Sequence, residues 1–203
     1  MNRAIVITAT FFALVVLSNA AKAVLDDFEG SWKWTKGIYR TSSIVKVGNF
    51  AGLYNDTVTR TQISCSNITH DWSAFVHINA WVYSASATNE KVYILAFSES
   101  NTTTGPDYYS ASFTVDWFGW REFQVALSQF GASRSPRGWN QIDYLSLSSS
   151  WGIPPVPGTV LCFDDLYLYN QQIEFLQGSV EYALIPGTEV TFQVMLRNPQ
   201  SIS

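Results

Sequence analysis

Apolar and polar residues alternate along much of the chain with the period of two that is typical of half-buried β-strands. The clearest alternation is in residues 75–83, whose two faces differ in chemistry. The apolar face consists of Val76, Ile78, Ala80 and Val82. The other face consists of His77, Asn79, Trp81 and Tyr83. Similar runs begin at Tyr108 and Phe123, and 91–97 is apolar on both faces, which predicts a central strand.

Turn-forming residues separate these runs, as at 104–107, 135–138 and 154–158. No segment between 24 and 170 has a sustained helical period with caps, and only 127–130 predicts a short helical turn. Many short strands with turns between them predict an all-β fold, an antiparallel sandwich or barrel of the jelly-roll type.

Residues 1–23 have the pattern of a signal peptide. Arg3 precedes the apolar run 4–17, and Ala21-Lys22-Ala23 has the small-x-small form of a cleavage site, with Ser18-Asn19-Ala20 as a second candidate. The run is short for a membrane anchor. Removal of residues 1–23 takes away two basic residues and no acid, so the formal charge changes from −4 to −6. The sequence therefore predicts a secreted protein.

Composition narrows the range of partners. No cluster of basic residues is present, and basic residues are not interleaved with aromatic ones, which argues against nucleic acid. The sequence contains no second long apolar stretch, so it predicts no transmembrane segment. The 8 Trp and 10 Tyr are many for one core, so some of these rings should be exposed and serve binding.

Two cysteines, Cys65 and Cys162, lie far apart in the sequence. In an exported protein they are candidates for a disulfide. The alternative is that Cys162, in an apolar strand, is a small buried hydrophobic residue.

Acidic residues lie among apolar ones at both ends of the main domain, in 26–30 and 163–168. Buried carboxylates are usually paired, hydrogen-bonded or metal-bound. The first and last strands of a β-sandwich often lie side by side, so the two motifs are expected to meet. Oxygen ligands favour Ca²⁺ over zinc or iron. The alternative is that these acids cap strands or pair with Lys46 or Arg60.

Several short motifs between the acidic segments occur in a fixed order. They are Gly48-Asn49-Phe50-Ala51-Gly52-Leu53-Tyr54, Asp71-Trp72-Ser73, Trp81-Val82-Tyr83-Ser84, Asp116-Trp117-Phe118-Gly119-Trp120, Leu127-Ser128-Gln129-Phe130 and Gly138-Trp139-Asn140-Gln141-Ile142-Asp143. With the acidic ends, this order resembles the calcium-binding jelly-roll, galactose-binding-like carbohydrate-binding modules that are attached to secreted polysaccharide lyases and glycoside hydrolases. The resemblance covers about residues 25–169 and is more specific for the fold than for the ligand.

The resemblance implies a structural calcium site. Glu29 would supply a carboxylate from the first strand, supported by Asp27, and the region of Asn49 would supply carbonyl oxygens. Asp164 would supply the second carboxylate because it shares strand parity with the apolar residues of 166–168. Asp165 is the alternative.

The resemblance also implies that a polysaccharide or glycan binds across one sheet. A sugar binder needs aromatic platforms beside groups that form hydrogen bonds. Parity places such residues on faces that do not join the core. The predicted set is Asn79, Trp81, Tyr83, Tyr108 and Trp120. Trp72, Trp117 and Trp139 follow Asp or Gly at turns and are expected in the core.

Catalysis finds little support, because neither histidine, His70 or His77, belongs to a nucleophile motif or a metal-ligand cluster. Sequence establishes no pair of facing carboxylates of the kind that glycoside hydrolysis requires. We therefore expect a non-catalytic module. The alternative is a structural or adhesive module of a cell-surface protein that binds other proteins.

Residues 171–203 predict two or three further strands, too few to bury a core alone. The pattern from Pro186-Gly187 to Asn198-Pro199 resembles the opening half of an immunoglobulin-like module. We expect a domain order of signal peptide (1–23), jelly-roll module (24–170) and an incomplete immunoglobulin-like module (171–203), within a longer protein that carries further domains.

Overall fold

Short strands account for almost all regular structure in the computed structural model, which describes residues 22–35, 37–55, 62–149 and 155–170 and two strands at 5–9 and 180–184. The strands are β1 (Ile5–Ala9), β2 (Lys22–Asp26), β3 (Tyr39–Thr41), β4 (Ala51–Asn55), β5 (Gln62–Cys65), β6 (His77–Ser84), β7 (Lys91–Phe97), β8 (Tyr108–Thr114), β9 (Gly119–Ala126), β10 (Gly131–Ser133), β11 (Tyr144–Ser148), β12 (Val160–Tyr169) and β13 (Val180–Leu184). The predicted short turn is a 3₁₀ turn, Leu127–Gln129.

Two antiparallel sheets form the unit that spans residues 21–170. One has five strands in the order β10-β8-β7-β11-β5. The other has six, in the order β3-β4-β12-β6-β9, with β2 also paired to β12. The prediction of an all-β jelly-roll sandwich is confirmed.

The core lies between the two sheets and takes one face of each. Alternate positions of β6, namely Ile78, Ala80 and Val82, are buried in it together with Ile94 of β7. The parity predicted for β6 is therefore correct. The tryptophans expected in the core also lie there: Trp72 and Trp117 are buried, and Trp139 packs against the core.

A second unit comprises residues 1–20 and 171–203. Its described part is a two-stranded antiparallel sheet in which β1 pairs with β13, with Ile5 opposite Leu184. The predicted signal peptide and immunoglobulin-like segment lie mostly outside the described residues and stay predictions. No helix among the described residues is long and apolar enough to cross a membrane.

Candidate functional site

The predicted sugar-binding residues are divided between the two outward faces of the sandwich. Asn79, Trp81, Tyr83 and Trp120 lie on the six-stranded sheet, where Tyr83 pairs with Trp120 across β6 and β9. Tyr108 lies on β8 in the other sheet, where it pairs with Phe97. The predicted set therefore does not form one site. Parity identifies an outward face but not the sheet to which the strand belongs.

The five-stranded sheet carries tyrosines on three adjacent strands of its outward face. Tyr144 of β11 stacks on Phe97 of β7, with ring centroids 4.3 Å apart, and Tyr108 of β8 lies 5.2 Å from the same ring. Tyr93 lies on the same face of β7, four residues from Phe97. Tyr93 and Tyr144 were not predicted from the sequence, because 91–97 is apolar on both faces and 142–147 has an irregular period.

Serines occupy the positions between these rings. They include Ser110 opposite Leu95, Ser112 opposite Tyr93, and Ser146, which pairs with Leu95 from the other side. The Ser64 and Ser146 hydroxyl oxygens are 2.7 Å apart. The outward face of this sheet therefore carries tyrosine rings and serine hydroxyls around the buried side chains of Leu95 and Phe97, and Ser146 is itself buried. At the end of the row the Arg137 guanidinium donates to the Asp143 carboxylate at 2.6 Å.

The pKa of Tyr144 is raised to about 12. Burial is the largest cause, and the nearby Glu99 and Asp143 carboxylates add to it. The phenol therefore remains protonated at neutral pH. It can donate one hydrogen bond and accept others.

Glu29 and Asp164, the two carboxylates proposed to meet, both contact one loop, residues 46–50. We call this arrangement the carboxylate clasp. The Glu29 Oε1 atom accepts hydrogen bonds from the amides of Asn49 (2.7 Å) and Phe50 (2.8 Å). These bonds lower the pKa of Glu29. Because the loop is held at both of its ends, its path over the sheet is well defined.

Asp164 is fully buried and holds the other end of the same loop. Its Oδ2 atom accepts from the amides of Lys46 (2.8 Å) and Val47 (3.0 Å), and its Oδ1 atom accepts from Asp165 N at 2.8 Å. Burial raises the pKa of Asp164, and these three bonds oppose the rise. In the part of the chain that the structure describes, no lysine or arginine pairs with this carboxylate.

Of the other predicted metal ligands, the Asp27 and Asp165 side chains have partners of their own. The Asp27 carboxylate accepts from Glu29 N, and Asp165 pairs with Lys22 at 3.1 Å. Asn49 joins the clasp as a hydrogen-bond donor through both its amides. Among the described residues no three His, Cys, Asp or Glu side chains gather as a metal site. The calcium site stays a prediction.

Asp164 is buried for a different reason from the one predicted. It pairs with Trp81 of β6, so its side chain lies on the outward face, beneath the 46–50 loop. A bulge follows, with Asp165 at a φ of 43°, and Leu166 and Leu168 then lie in the core. The bulge breaks the strand parity on which the prediction was based.

The clasp and the aromatic face of β6 are therefore neighbours on one surface. Lys46, whose amide is held by Asp164, places its ammonium 4.2 Å from the centre of the Trp81 ring. The Lys46 ammonium thus occupies one face of this ring. Trp120 and Tyr83 contact each other edge to face at 5.5 Å, beside Phe118, which is 75% exposed.

The structure shows no bridge between the candidate disulfide pair: Cys65 and Cys162 are both free and buried, as in the alternative given for Cys162. Cys65 points into the core from β5. Cys162 pairs with Tyr83, so it lies on the outward side of the six-stranded sheet. The two thiols are therefore separated by a sheet.

The two histidines make separate contacts. His70 Nδ1 contacts the carbonyl oxygen of Ile142 at 2.5 Å. Burial lowers the pKa of His77, whose Nδ1 has no partner.

Comparison with known proteins identifies the fold. No family model matches the chain, and no curated protein matches its sequence. A family 11 carbohydrate-binding module from Clostridium thermocellum, solved in complex with a β-1,3-1,4-mixed-linked tetrasaccharide, is similar with a TM-score of 0.54 and 20% identity, over 73% of this chain and 95% of that one.

Two further structures from the same organism agree. A family 11 module of a cellulosomal cellulase has a TM-score of 0.54 and 21% identity, over 74% of this chain and 95% of its own. A family 30 module of another cellulosomal cellulase has a TM-score of 0.52 and 14% identity, over 74% and 94% of the two chains. The chain thus has the β-sandwich jelly-roll fold of carbohydrate-binding modules, as the motif order predicted.

Proposed function

We propose that this chain is a non-catalytic module that binds a polysaccharide across the outward face of its five-stranded sheet. The observation that carries the proposal is the chemistry of that face, which combines Tyr93, Tyr108 and Tyr144 with a series of serine hydroxyls. The solved modules with the same fold, one of them bound to a mixed-linked tetrasaccharide, support the ligand class.

Sugar rings present apolar C–H faces and a fringe of hydroxyls. Tyrosine is suited to both, since its ring provides an apolar surface and its hydroxyl a polar end. Serine hydroxyls donate and accept hydrogen bonds, as sugar hydroxyls do. The Tyr and Ser side chains of these rows are uncharged, and their rings and hydroxyls suit a neutral glycan. The Lys91 ammonium lies beside them, 5.4 Å from the centre of the Tyr93 ring.

The six-stranded face is less suited as the main site. Its central ring, Trp81, has the Lys46 ammonium on one face, and the 46–50 loop lies over its neighbour Asp164.

Calorimetric titration with a β-1,3-1,4-mixed-linked glucan tetrasaccharide tests this assignment. We expect Tyr144→Ala to weaken binding about tenfold, because removal of a ring contact costs about 1–2 kcal/mol. Tyr144→Phe keeps the ring and should lose less. Tyr39→Ala is the matched control, because this tyrosine is 57% exposed at the β3 edge of the other sheet.

If no glycan in a broad panel binds the folded module, the proposal is wrong and the adhesive, protein-binding function replaces it. If Tyr144→Ala binds as tightly as the Tyr39→Ala control, the assignment of the face is wrong.

We also propose that the carboxylate clasp holds a structural Ca²⁺ through Glu29 and Asp164. Support comes from the fully buried Asp164 carboxylate, whose described contacts include no cationic side chain, and from the approach of both carboxylates to one loop. A carboxylate has about four lone-pair sites, and each of these two accepts three N–H bonds, so one site of each remains, on Asp164 Oδ1 and on Glu29 Oε2. The ion would stabilise the 46–50 loop rather than contact the sugar.

Export is proposed from the N-terminal pattern. β2 begins at Lys22, and Lys22 pairs with Asp165. Cleavage after Ala20 would keep this strand whole, whereas cleavage after Ala23 would remove two of its residues. N-terminal sequencing of the exported protein distinguishes the two sites. The module would act within a longer secreted protein, where it would hold that protein on its glycan.

A further inference from the structure

The proposed function makes no use of the edge strand β9, whose outward positions carry a ring, a carboxylate and an amide in succession. These are Trp120, Glu122 and Gln124, about 7 Å apart along the strand. Glu122 and Gln124 are exposed, and Trp120 is half-buried. We call this row the β9 track. It lies on the opposite side of the sandwich from the tyrosine and serine face.

Asn79 lies beside this track with an incomplete set of hydrogen bonds. Its side chain is 2% exposed, and its Oδ1 atom has no partner. Its Nδ2 atom donates to Glu122 Oε1 at 3.4 Å, and Gln124 is its neighbour across β9. A buried acceptor without a donor is unfavourable and points to a missing hydrogen-bond donor.

Tyr167 of β12 lies directly opposite Asn79, and its hydroxyl forms a side-chain hydrogen bond with the Asn79 amide. Asn79 is therefore held between Tyr167 and Glu122. The hydrogen-bonding groups of the track that remain open to a ligand are the exposed side chains of Glu122 and Gln124.

An apolar surface continues the track at its other end. Tyr83 contacts Trp120 edge to face at 5.5 Å and Phe118 at 6.3 Å. Tyr83 and Asn79 are four residues apart on one face of β6, about 13 Å. Rings at one end and hydrogen-bonding groups at the other are a combination that suits a short stretch of glycan.

We propose that the β9 track with Asn79 is a second saccharide site, so that one module binds two glycan chains on opposite faces and cross-links them. This inference rests on the proposed function, because the first site supplies the other attachment. Two sites that point in opposite directions cannot be reached by one short oligosaccharide, but they can bridge two polymer strands. Bridging multiplies weak contacts into stable association.

Titration with the mixed-linked tetrasaccharide measures the number of sites. We expect two per wild-type module, one after the double substitution Trp120→Ala and Glu122→Ala, and one after the double substitution Tyr108→Ala and Tyr144→Ala, because Tyr144→Ala alone only weakens its site about tenfold. Gln124→Ala provides a variant at an exposed position that should fold normally, with about threefold weaker binding at the second site only. Thermal melts confirm that each variant is folded.

The viscosity of a solution of mixed-linked β-glucan measures cross-linking. Wild-type module should raise its low-shear viscosity, whereas each one-site variant should bind the polymer without raising it. Tyr39→Ala should behave as wild type.

One site in the wild type, weakened by Tyr144→Ala and unaffected by changes in the β9 track, would overturn the second site and leave the proposed function intact. Absence of binding to any glycan would overturn both.

Discussion

Replacement of Asp164 by alanine tests the carboxylate clasp. The carboxylate accepts three backbone N–H bonds, from Lys46, Val47 and Asp165. The substitution leaves these donors without an acceptor, at about 1–3 kcal/mol for each that stays buried. Lys46 and Val47 are exposed residues whose amides water can reach, so the free-energy cost of each of these two lost hydrogen bonds lies near the lower limit of that range. Removal of the desolvated carboxylate offsets part of the cost. We expect the free energy of unfolding to fall by about 2–4 kcal/mol.

Urea unfolding followed by tryptophan fluorescence measures this loss. With a denaturant slope of about 2 kcal/mol per M, the midpoint should fall by about 1–2 M at unchanged slope. Asp165→Asn is the matched control. It removes an exposed ion pair with Lys22 worth about 0–1 kcal/mol, and asparagine tolerates the positive φ of 43°. The reasoning is refuted if the two variants unfold within about 0.5 kcal/mol of each other.

Three further predictions concern metal, thiols and acid. If Asp164 binds calcium, EDTA should lower the wild-type melting temperature by about 5–10 °C and leave that of Asp164→Ala unchanged; equal melts with and without EDTA would exclude the ion. Burial raises the pKa of Cys65 to about 11 and that of Cys162 to about 12, so a thiol reagent at pH 8 should label both only after denaturation, and rapid labelling of the native protein would contradict the structure. Hydrogen bonds, first from Thr103 and then from Ser100, lower the pKa of Asp107. Its contribution to stability is therefore complete above the pKa of an unfolded aspartate, about 3.9, and declines as the pH falls below it. Urea titrations across this range should show a shallower decline for Asp107→Asn, and parallel curves would count against the prediction.

Strand alternation predicted the sandwich because the buried and exposed faces of most strands differ clearly in polarity. In β6 the positions of Ile78, Ala80 and Val82 suffice to identify the core face. Alternation fails in β12, because one extra residue at the bulge places every later residue on the opposite face from the one that alternation predicts. The register shift lies between Asp164 and Tyr167, which pair with Trp81 and Asn79 of β6.

The site was predicted less well than the fold. Outward parity for Tyr108 and Trp81 was correct, but sheet membership depends on pairing between distant strands, which one sequence does not reveal. The same limit applies to Cys65 and Cys162, whose separation by a sheet follows from topology alone. The contact of Lys46 with the Trp81 ring depends on the path of a loop, and no periodicity encodes it.

The position of β12 in the six-stranded sheet has a consequence for how the protein is made. This strand is the last of the module in the order of synthesis, yet it pairs with β2, β4 and β6. Until it leaves the ribosome, the β3–β4 pair and the β6–β9 pair have no strand to join them, and β2 has no partner. Synthesis from β2 to the start of β12 covers about 140 residues, roughly 7–28 s at 5–20 residues per second, and about 35 residues separate the end of β9 from β12. The nascent chain should therefore depend on chaperones or on rapid export until its final strand arrives, and a ribosome stalled before residue 160 should present an unfolded, protease-sensitive chain.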